Sequence, residues 1–265
     1  MRYKKYEKFE KINAIYTTYE NNYSKNNAKL KEEFLKLNKI IFKDTKIKRN
    51  KINMYKVALE HKDKIIDIDK LTKDDFNKII LDDNTTLYEV KEDADALITR
   101  NNDNILVMAV ADCMCIYIVD ETKGVYSLVH SGWKGTLLNI LPKTIEKMNK
   151  EYDCNYKDIK LIISPHILKQ SFEISDDVLD QFEKYIKTEN ITREKAIEKK
   201  KNGKYNVDLD LLILNSIKKY NIPECNIYIS NEDTLSLKDE KGNYMYHSYR
   251  RDKNSSGRNL GVLFI

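Results

Sequence analysis

Two short segments bring together residue types that bind metals or activate nucleophiles. They are Ala111-Asp112-Cys113 and His130-Ser131-Gly132-Trp133-Lys134-Gly135, the second holding the only tryptophan of the chain. Cys113 follows the apolar run 105–110, and His130 follows the run 125–129. Each run reads as a buried strand that delivers its polar residue to a strand end. If these strands pair as neighbours through the polar connection 120–124, thiol and imidazole meet at one rim of a sheet. A thiolate and an imidazole are two of the three protein ligands of one type of catalytic zinc site.

The third ligand has few sources, because the histidines are His61, His130, His166 and His247 and the cysteines are Cys113, Cys115, Cys154 and Cys225. His61 is the candidate: it lies between two extended segments, 54–59 and 65–68. Two His and one Cys leave the fourth tetrahedral position of zinc open, and water bound there has its pKa lowered toward about 7. The plainer reading of the same residues is a hydrogen-bonded structural histidine and a small core thiol. His166 and His247 read as non-ligands, and Cys115 as a core thiol. Without metal, Cys113 and His130 form a thiolate–imidazole pair, the equipment of a cysteine hydrolase or deamidase.

Arg250, Arg251 and Arg258 crowd the C-terminus of a chain otherwise poor in arginine. Guanidinium groups suit bidentate capture of phosphate, and surface pairing with Asp252 is the alternative. Lys134 adds a cation beside His130. The turn from Gly132 to Gly135 either offers backbone amides to an anion or only positions His130. In Phe172-Glu173-Ile174 a strand points Glu173 away from its apolar neighbours, toward proton transfer in a cleft or toward plain solvent exposure.

Five ordered motifs carry a family resemblance: Ala94-Asp95-Ala96-Leu97-Ile98-Thr99; Ala111-Asp112-Cys113; His130 to Gly135; Ser164-Pro165-His166-Ile167 with Phe172-Glu173-Ile174; and Ser248-Tyr249-Arg250-Arg251-Asp252 with Gly257-Arg258. Together they resemble the laccase-domain, or polyphenol oxidase-like, family, whose members are described as zinc-dependent purine nucleoside phosphorylases. The resemblance implies one zinc per chain on His61, Cys113 and His130. It also implies purine nucleosides and inorganic phosphate as partners, phosphorolysis of adenosine or inosine, and deamination of adenosine as a second activity. Phosphate or substrate contacts then fall to Lys134, Arg251 and Arg258, with Glu173 and Arg250 as catalytic groups. Four departures from the family pattern stand out. The family's Thr-Arg-x-Gly-Gly segment is replaced by Tyr16-Thr17-Thr18-Tyr19-Glu20-Asn21-Asn22, His61 lacks its usual Gln-Val before and Gly after, Cys115 stands where the family has Pro, and Asp233-Thr234 stands where it has Cys-Thr. A metal-binding relative without catalysis is therefore a further reading. A multicopper phenol oxidase needs more histidines than the four present.

Composition sets the frame. The 265 residues suffice for one large domain spanning 1–265, with no Pro/Gly/Ser-rich linker. Lys and Arg exceed Asp and Glu by 47 to 42, a surplus too evenly spread to form a nucleic-acid platform. No window approaches the roughly 20 apolar residues of a membrane span, so a cytoplasmic protein that touches neither membrane nor nucleic acid is expected. Four cysteines without a disulfide framework fit a reducing compartment.

Helical spacing recurs at Leu30, Phe34, Leu37 and Ile41; at Leu137, Leu141, Ile145 and Met148; at Val178, Leu179, Phe182 and Ile186 after the capping candidate Ser175; and at Leu209, Leu212, Ile213, Ile217 and Tyr220 after Asp208. Pro142 falls early enough to be tolerated in a first turn. Polar segments 43–51 and 199–204 read as loops, the latter turning at Asn202-Gly203. The expected architecture is α+β: mixed sheets covered by helices in a layered sandwich, with the site in a cleft lined by strand ends.

Overall fold

The computed structural model describes all residues except 1, 2, 8, 10, 11, 25–27 and 45–50. Most of the polar segment 43–51 thus falls outside the described residues. Among those described, two large mixed sheets form the centre. The seven-stranded sheet runs, edge to edge, through Tyr3–Tyr6, Asn13–Thr17, Asn259–Phe264, Asn104–Val110, Ile52–Lys56, Thr85–Val90 and Phe76–Asp82. The six-stranded sheet runs through Ile227–Ile229, Ile159–Ile163, Met114–Asp120, Val125–Ser131, Ala96–Thr99 and Ile65–Asp67.

Side-chain alternation shows how the layers stack. In strand Asn104–Val110, Leu106, Met108 and Val110 join Cys115, Tyr117, Val119, Tyr126 and Leu128 of the other sheet in one core. Ile105 and Val107 point the opposite way, to Phe34, Leu37 and Ile41 of helix Leu30–Asp44. On the far side, Met114, Ile116 and Ile118 pack under helices Ile140–Tyr152, Asp176–Thr188 and Leu209–Ile217. A strand buried on both faces needs apolar residues at every position, which is why 105–110 and 114–119 read as unbroken apolar runs. The order is helix, sheet, sheet, helices, the layered α+β sandwich the sequence predicts.

The helical stripes resolve into the expected helices, except that Tyr220 falls beyond its helix in the 3-10 turn Lys218–Tyr220 and one stripe is divided. Helix Leu209–Ile217 is capped by Asp208, whose carboxylate accepts from Leu211 N at 2.9 Å. The stripe after Gly135 is two helices, Trp133–Leu137 and Ile140–Tyr152, separated by Asn139 in a left-handed conformation, and Pro142 sits in the first turn of the second. The 199–204 loop is the turn of a hairpin between Ile197–Lys199 and Tyr205–Val207, with Gly203 at φ 84°.

One expectation is corrected. The run 105–110 does not pair with the run 125–129, because they belong to different sheets. The chain leaves the first sheet at Val110, crosses in the three residues 111–113, and starts strand Met114–Asp120 of the second sheet. That strand pairs antiparallel with Val125–Ser131 and sets His130 opposite Cys115. Cys113 is thus in the crossing and not on a strand, which frees its thiol from the alternation of the sheet.

Candidate functional site

A cleft of about 910 Å³ opens where this crossing meets the end of strand Val125–Ser131, and His61, Cys113 and His130 all line it. His130 is buried at 2% exposure. Its Nδ1 lies 2.8 Å from Asp95 Oδ1. Burial would raise the Asp95 carboxyl, but bonds from His130 and from the backbone of Lys62 and His61 outweigh it and hold it below the usual carboxylate range. An ionised carboxylate only accepts, so His130 carries its proton on Nδ1. Burial lowers the His130 pKa despite Asp95, leaving a neutral ring with a lone pair on Nε2.

His61 reaches the same place from another segment. Its backbone N–H donates to Asp95 Oδ1 at 2.9 Å and that of Lys62 to Oδ2 at 2.7 Å. The residue adopts φ 62°, a left-handed conformation uncommon outside glycine. Its ring meets that of His130 edge-on, with centroids 4.9 Å apart.

Cys113 follows Asp112, whose φ is 75° and whose buried carboxylate accepts from Thr234 Oγ1 at 2.7 Å and from Arg250 N at 2.6 Å. The crossing is thereby tied to two distant segments. A Cβ on Gly132 would lie 2.9 Å from Cys113 Sγ and 3.7 Å from His130 Nε2. Glycine at 132 therefore leaves open a space that both the sulfur and the ring nitrogen border. Burial pushes the Cys113 thiol up to about 12, with Asp112 adding to it and Arg258 opposing. The donor set, two imidazoles and a thiol, suits zinc. Among the described residues, however, no group of three or more His, Cys, Asp or Glu side chains is drawn together at metal-binding spacing.

The cationic candidates divide. Lys134, Arg250 and Arg258 line the cleft, together with Lys204 and Lys253, which sequence reasoning left unmarked. Arg250 Nη1 donates to the carbonyl of Glu173 at 2.7 Å, and its guanidinium lies 5.5 Å over the Phe172 ring. Arg258 donates to the carbonyls of Ser256 and Gly257 at 3.0 and 2.9 Å. Arg251 is absent from the cleft wall. Its guanidinium is consumed by Asp252, by the carbonyls of Leu235 and Tyr246, and by the Tyr244 ring at 3.8 Å, so it fastens the C-terminal segment and has no free donor for phosphate.

Glu173 does face the cleft but as an anion. Hydrogen bonds from Lys204 and Asn202 hold its carboxyl down to about 2, which unfits it as a proton donor near neutrality. An apolar stretch of the wall is formed by Ile167, Phe172, Ile174, Val178, Leu209 and Trp133, the last backed by Phe182 at 5.9 Å between centroids. The other histidines lie elsewhere. Buried His166 donates through Nδ1 to Ser164 O at 2.8 Å and sits 3.1 Å from Asp210, and His247 donates to Asn21 O at 2.8 Å. Cys115 is fully buried, its sulfur pressed against Gly261.

Asp95 is the site residue to which the sequence motifs assign no role, although it hydrogen-bonds His61, Lys62 and His130. Its signal was an acid directly preceding the short apolar strand Ala96–Thr99, an unusual neighbour for a buried run.

The chain is similar to known proteins along most of its length. A protein of Staphylococcus epidermidis named purine nucleoside phosphorylase is 31% identical over 207 residues, which is 78% of this chain and 66% of that relative. One of Clostridium acetobutylicum with the same name is 35% identical over 166 residues, 63% of this chain and 64% of the relative. The matched stretch thus spans slightly less than two thirds of these relatives' length. In fold, the chain superposes on YlmD from Geobacillus stearothermophilus with a TM-score of 0.74 at 20% identity, covering 98% of this chain and 93% of that one. YfiH from Bacillus licheniformis gives 0.73 at 21%, covering 96% and 92%. Residues 16–265, which hold every residue of the cleft, match the family described as multi-copper polyphenol oxidoreductase laccase, and the chain belongs to that family.

Proposed function

We propose that the cleft carries out phosphorolysis of purine nucleosides, with one zinc ion held by His61, Cys113 and His130. The observation that carries this reading is the meeting, in one cleft, of a thiol, two imidazoles, an apolar wall and arginines without a carboxylate partner among the described residues. The names of the two bacterial relatives support the substrate class. Zinc held by His61, Cys113 and His130 would supply Lewis acidity and would lower the pKa of water bound to it.

The protein's own groups account for the rest. Phe172, Ile174, Val178 and Trp133 offer a purine base a flat apolar seat. Arg250 and Arg258 hold inorganic phosphate, with Lys134 adding charge at the rim. The C1′–N9 bond of the nucleoside breaks, a phosphate oxygen bonds to C1′, and the proton carried by hydrogen phosphate passes to the departing base, giving free base and ribose 1-phosphate. His130, protonated on Nδ1 and neutral, presents a lone pair and no positive charge to the reacting centre. Hydrolytic deamination of adenosine is the second activity in this reading.

A cysteine hydrolase is the rival, and the Asp95–His130 bond favours it too, since an acid orienting an imidazole beside a thiol is the logic of a nucleophilic triad. Against it stand a thiol pushed up to about 12, where a nucleophile needs a lowered pKa, and His61, for which that mechanism has no work. The deciding assay incubates metal-analysed protein with inosine or adenosine, with and without phosphate, and follows base and ribose 1-phosphate. Phosphate-dependent cleavage that stops with a chelator and returns with zinc supports the proposal. Chelator-insensitive turnover with a covalent adduct on Cys113 overturns it, and inosine formed from adenosine without phosphate reports the deaminase.

A further inference from the structure

We infer that Asp95 is a positioning residue, setting which nitrogen of His130 faces the cleft and where the backbone of His61 stands. Asp95 is fully buried, at 0% exposure. Its side chain divides its work between its two oxygens. Oδ1 takes the Nδ1 proton of His130 at 2.8 Å and the His61 N–H at 2.9 Å, while Oδ2 takes the Lys62 N–H at 2.7 Å. The backbone of Asp95 repeats the arrangement: its carbonyl accepts from His130 N at 2.7 Å and its N–H donates to Lys64 O at 2.9 Å. One residue thus joins two chain segments more than thirty positions away in opposite directions.

Two features distinguish this from a carboxylate that merely closes a turn. A turn-closing acid needs only the backbone amides of 61 and 62, yet here the ring of His130 shares an oxygen with one of them. The ring's other nitrogen and Cys113 Sγ both lie within 4 Å of the position a Cβ on Gly132 would take, so they border the same space. A neutral histidine is a metal ligand or a base only through the nitrogen without a proton, so the acceptor on Nδ1 determines what Nε2 can do. The same oxygen helps to hold His61 at φ 62°, a backbone conformation that persists in a non-glycine residue only when its surroundings enforce it. Loss of the carboxylate therefore affects two of the three candidate ligands together.

The consequence for metal rests on the zinc reading above, whereas the consequence for the ring does not. The test separates them. Nitrogen-15 NMR of the metal-free protein labelled in histidine reports the His130 tautomer, and titration with zinc alone reports affinity. Wild type is expected with the proton on Nδ1. Asp95→Ala leaves Nδ1 without its acceptor, so the ring becomes a mixture or moves its proton to Nε2, and zinc affinity falls about 10- to 100-fold. Asp95→Asn keeps an oxygen for His130 but places an amide nitrogen before Lys62 N–H. It should preserve the tautomer while the Lys62 amide exchanges hydrogen faster than in wild type. An Asp95→Ala protein with the wild-type tautomer overturns the inference, as does Asp95→Asn with unchanged exchange at Lys62 if the alanine variant does not fold. A wild type that takes up no zinc overturns the metal consequence and the zinc reading, and leaves the tautomer result to decide the positioning role.

Discussion

The inner and outer halves of the cleft are built by opposite means. On the inside, His130, Asp95 and Asp112 are buried, each is held by short hydrogen bonds to segments far away in sequence, and two of the residues involved adopt left-handed backbone conformations. On the outside, Lys134, Lys204 and Lys253 are exposed and stand on a five-residue helix, a hairpin and a 3-10 turn. The inner half can hold one geometry only. The outer half offers charge with little directional constraint, so the inner groups are held more firmly than the charges at the rim.

The largest expected effect breaks the inner half. Cys113→Ala or His130→Ala should abolish phosphate-dependent cleavage and lower zinc affinity by more than the roughly 10- to 100-fold attached to loss of an outer hydrogen-bond partner. Metal analysis and turnover check it, and full zinc retention in Cys113→Ala would remove that residue from the site. Gly132→Ala should imitate the loss without replacing a ligand. Its methyl carbon would lie 2.9 Å from the sulfur, and overpacking of this kind costs about 1–3 kcal/mol. A folded Gly132→Ala protein with wild-type zinc affinity would show that the close approach is unimportant.

Next come two adjacent arginines that differ in kind. Arg250→Ala leaves zinc in place and should raise the KM for phosphate about 10- to 100-fold, the range expected when a charge-assisted hydrogen bond of about 1.5–3 kcal/mol is lost. Arg251→Ala should hardly move that KM but should lower the melting temperature, because its guanidinium binds Asp252, two carbonyls and the Tyr244 ring. Thermal unfolding and phosphate titration of the pair check both, and equal behaviour would erase the distinction.

That pair also shows what the sequence could disclose. Arg250, Arg251 and Arg258 are alike as letters, and only the tertiary partners separate a cleft residue from a clamp. The layers were legible because burial on both faces leaves a mark at every position, as in 105–110. The helix of 209–217 was legible because Asp208 caps it locally. Strand pairing was not: apolar runs 105–110 and 125–129 carry no sign that a crossing between sheets lies behind Val110. Asp95 escaped for a related reason, since its partners His61, Lys62 and His130 are all long-range. Sequence spacing points to which residues have chemistry, and long-range hydrogen bonds decide how it is aimed.

The smallest effect belongs to the outer half, at Glu173. Lys204, Asn202 and Lys200 surround its carboxylate and hold it to about 2, far under the ordinary value of about 4.3. A group with a depressed pKa stays ionised above that value, so Glu173 changes charge only as the pH falls through about 2 and takes no part in titrations near neutrality. Any stability it adds is present above about 4.3 and lost below, and screening by solvent keeps it small. Glu173→Gln should therefore leave both limbs of the activity profile between pH 5 and 9 in place and change kcat by no more than a few-fold. Lys204→Ala should let the carboxyl rise toward its ordinary value, which carbon-13 NMR of the side chain reads directly, and should weaken phosphate binding most at low salt, where rim charges act farthest. If Glu173→Gln removed a limb of the pH profile, the carboxylate would be a proton-transfer group after all, and the division between a constrained interior and a permissive rim would have to be redrawn with Glu173 on the inner side.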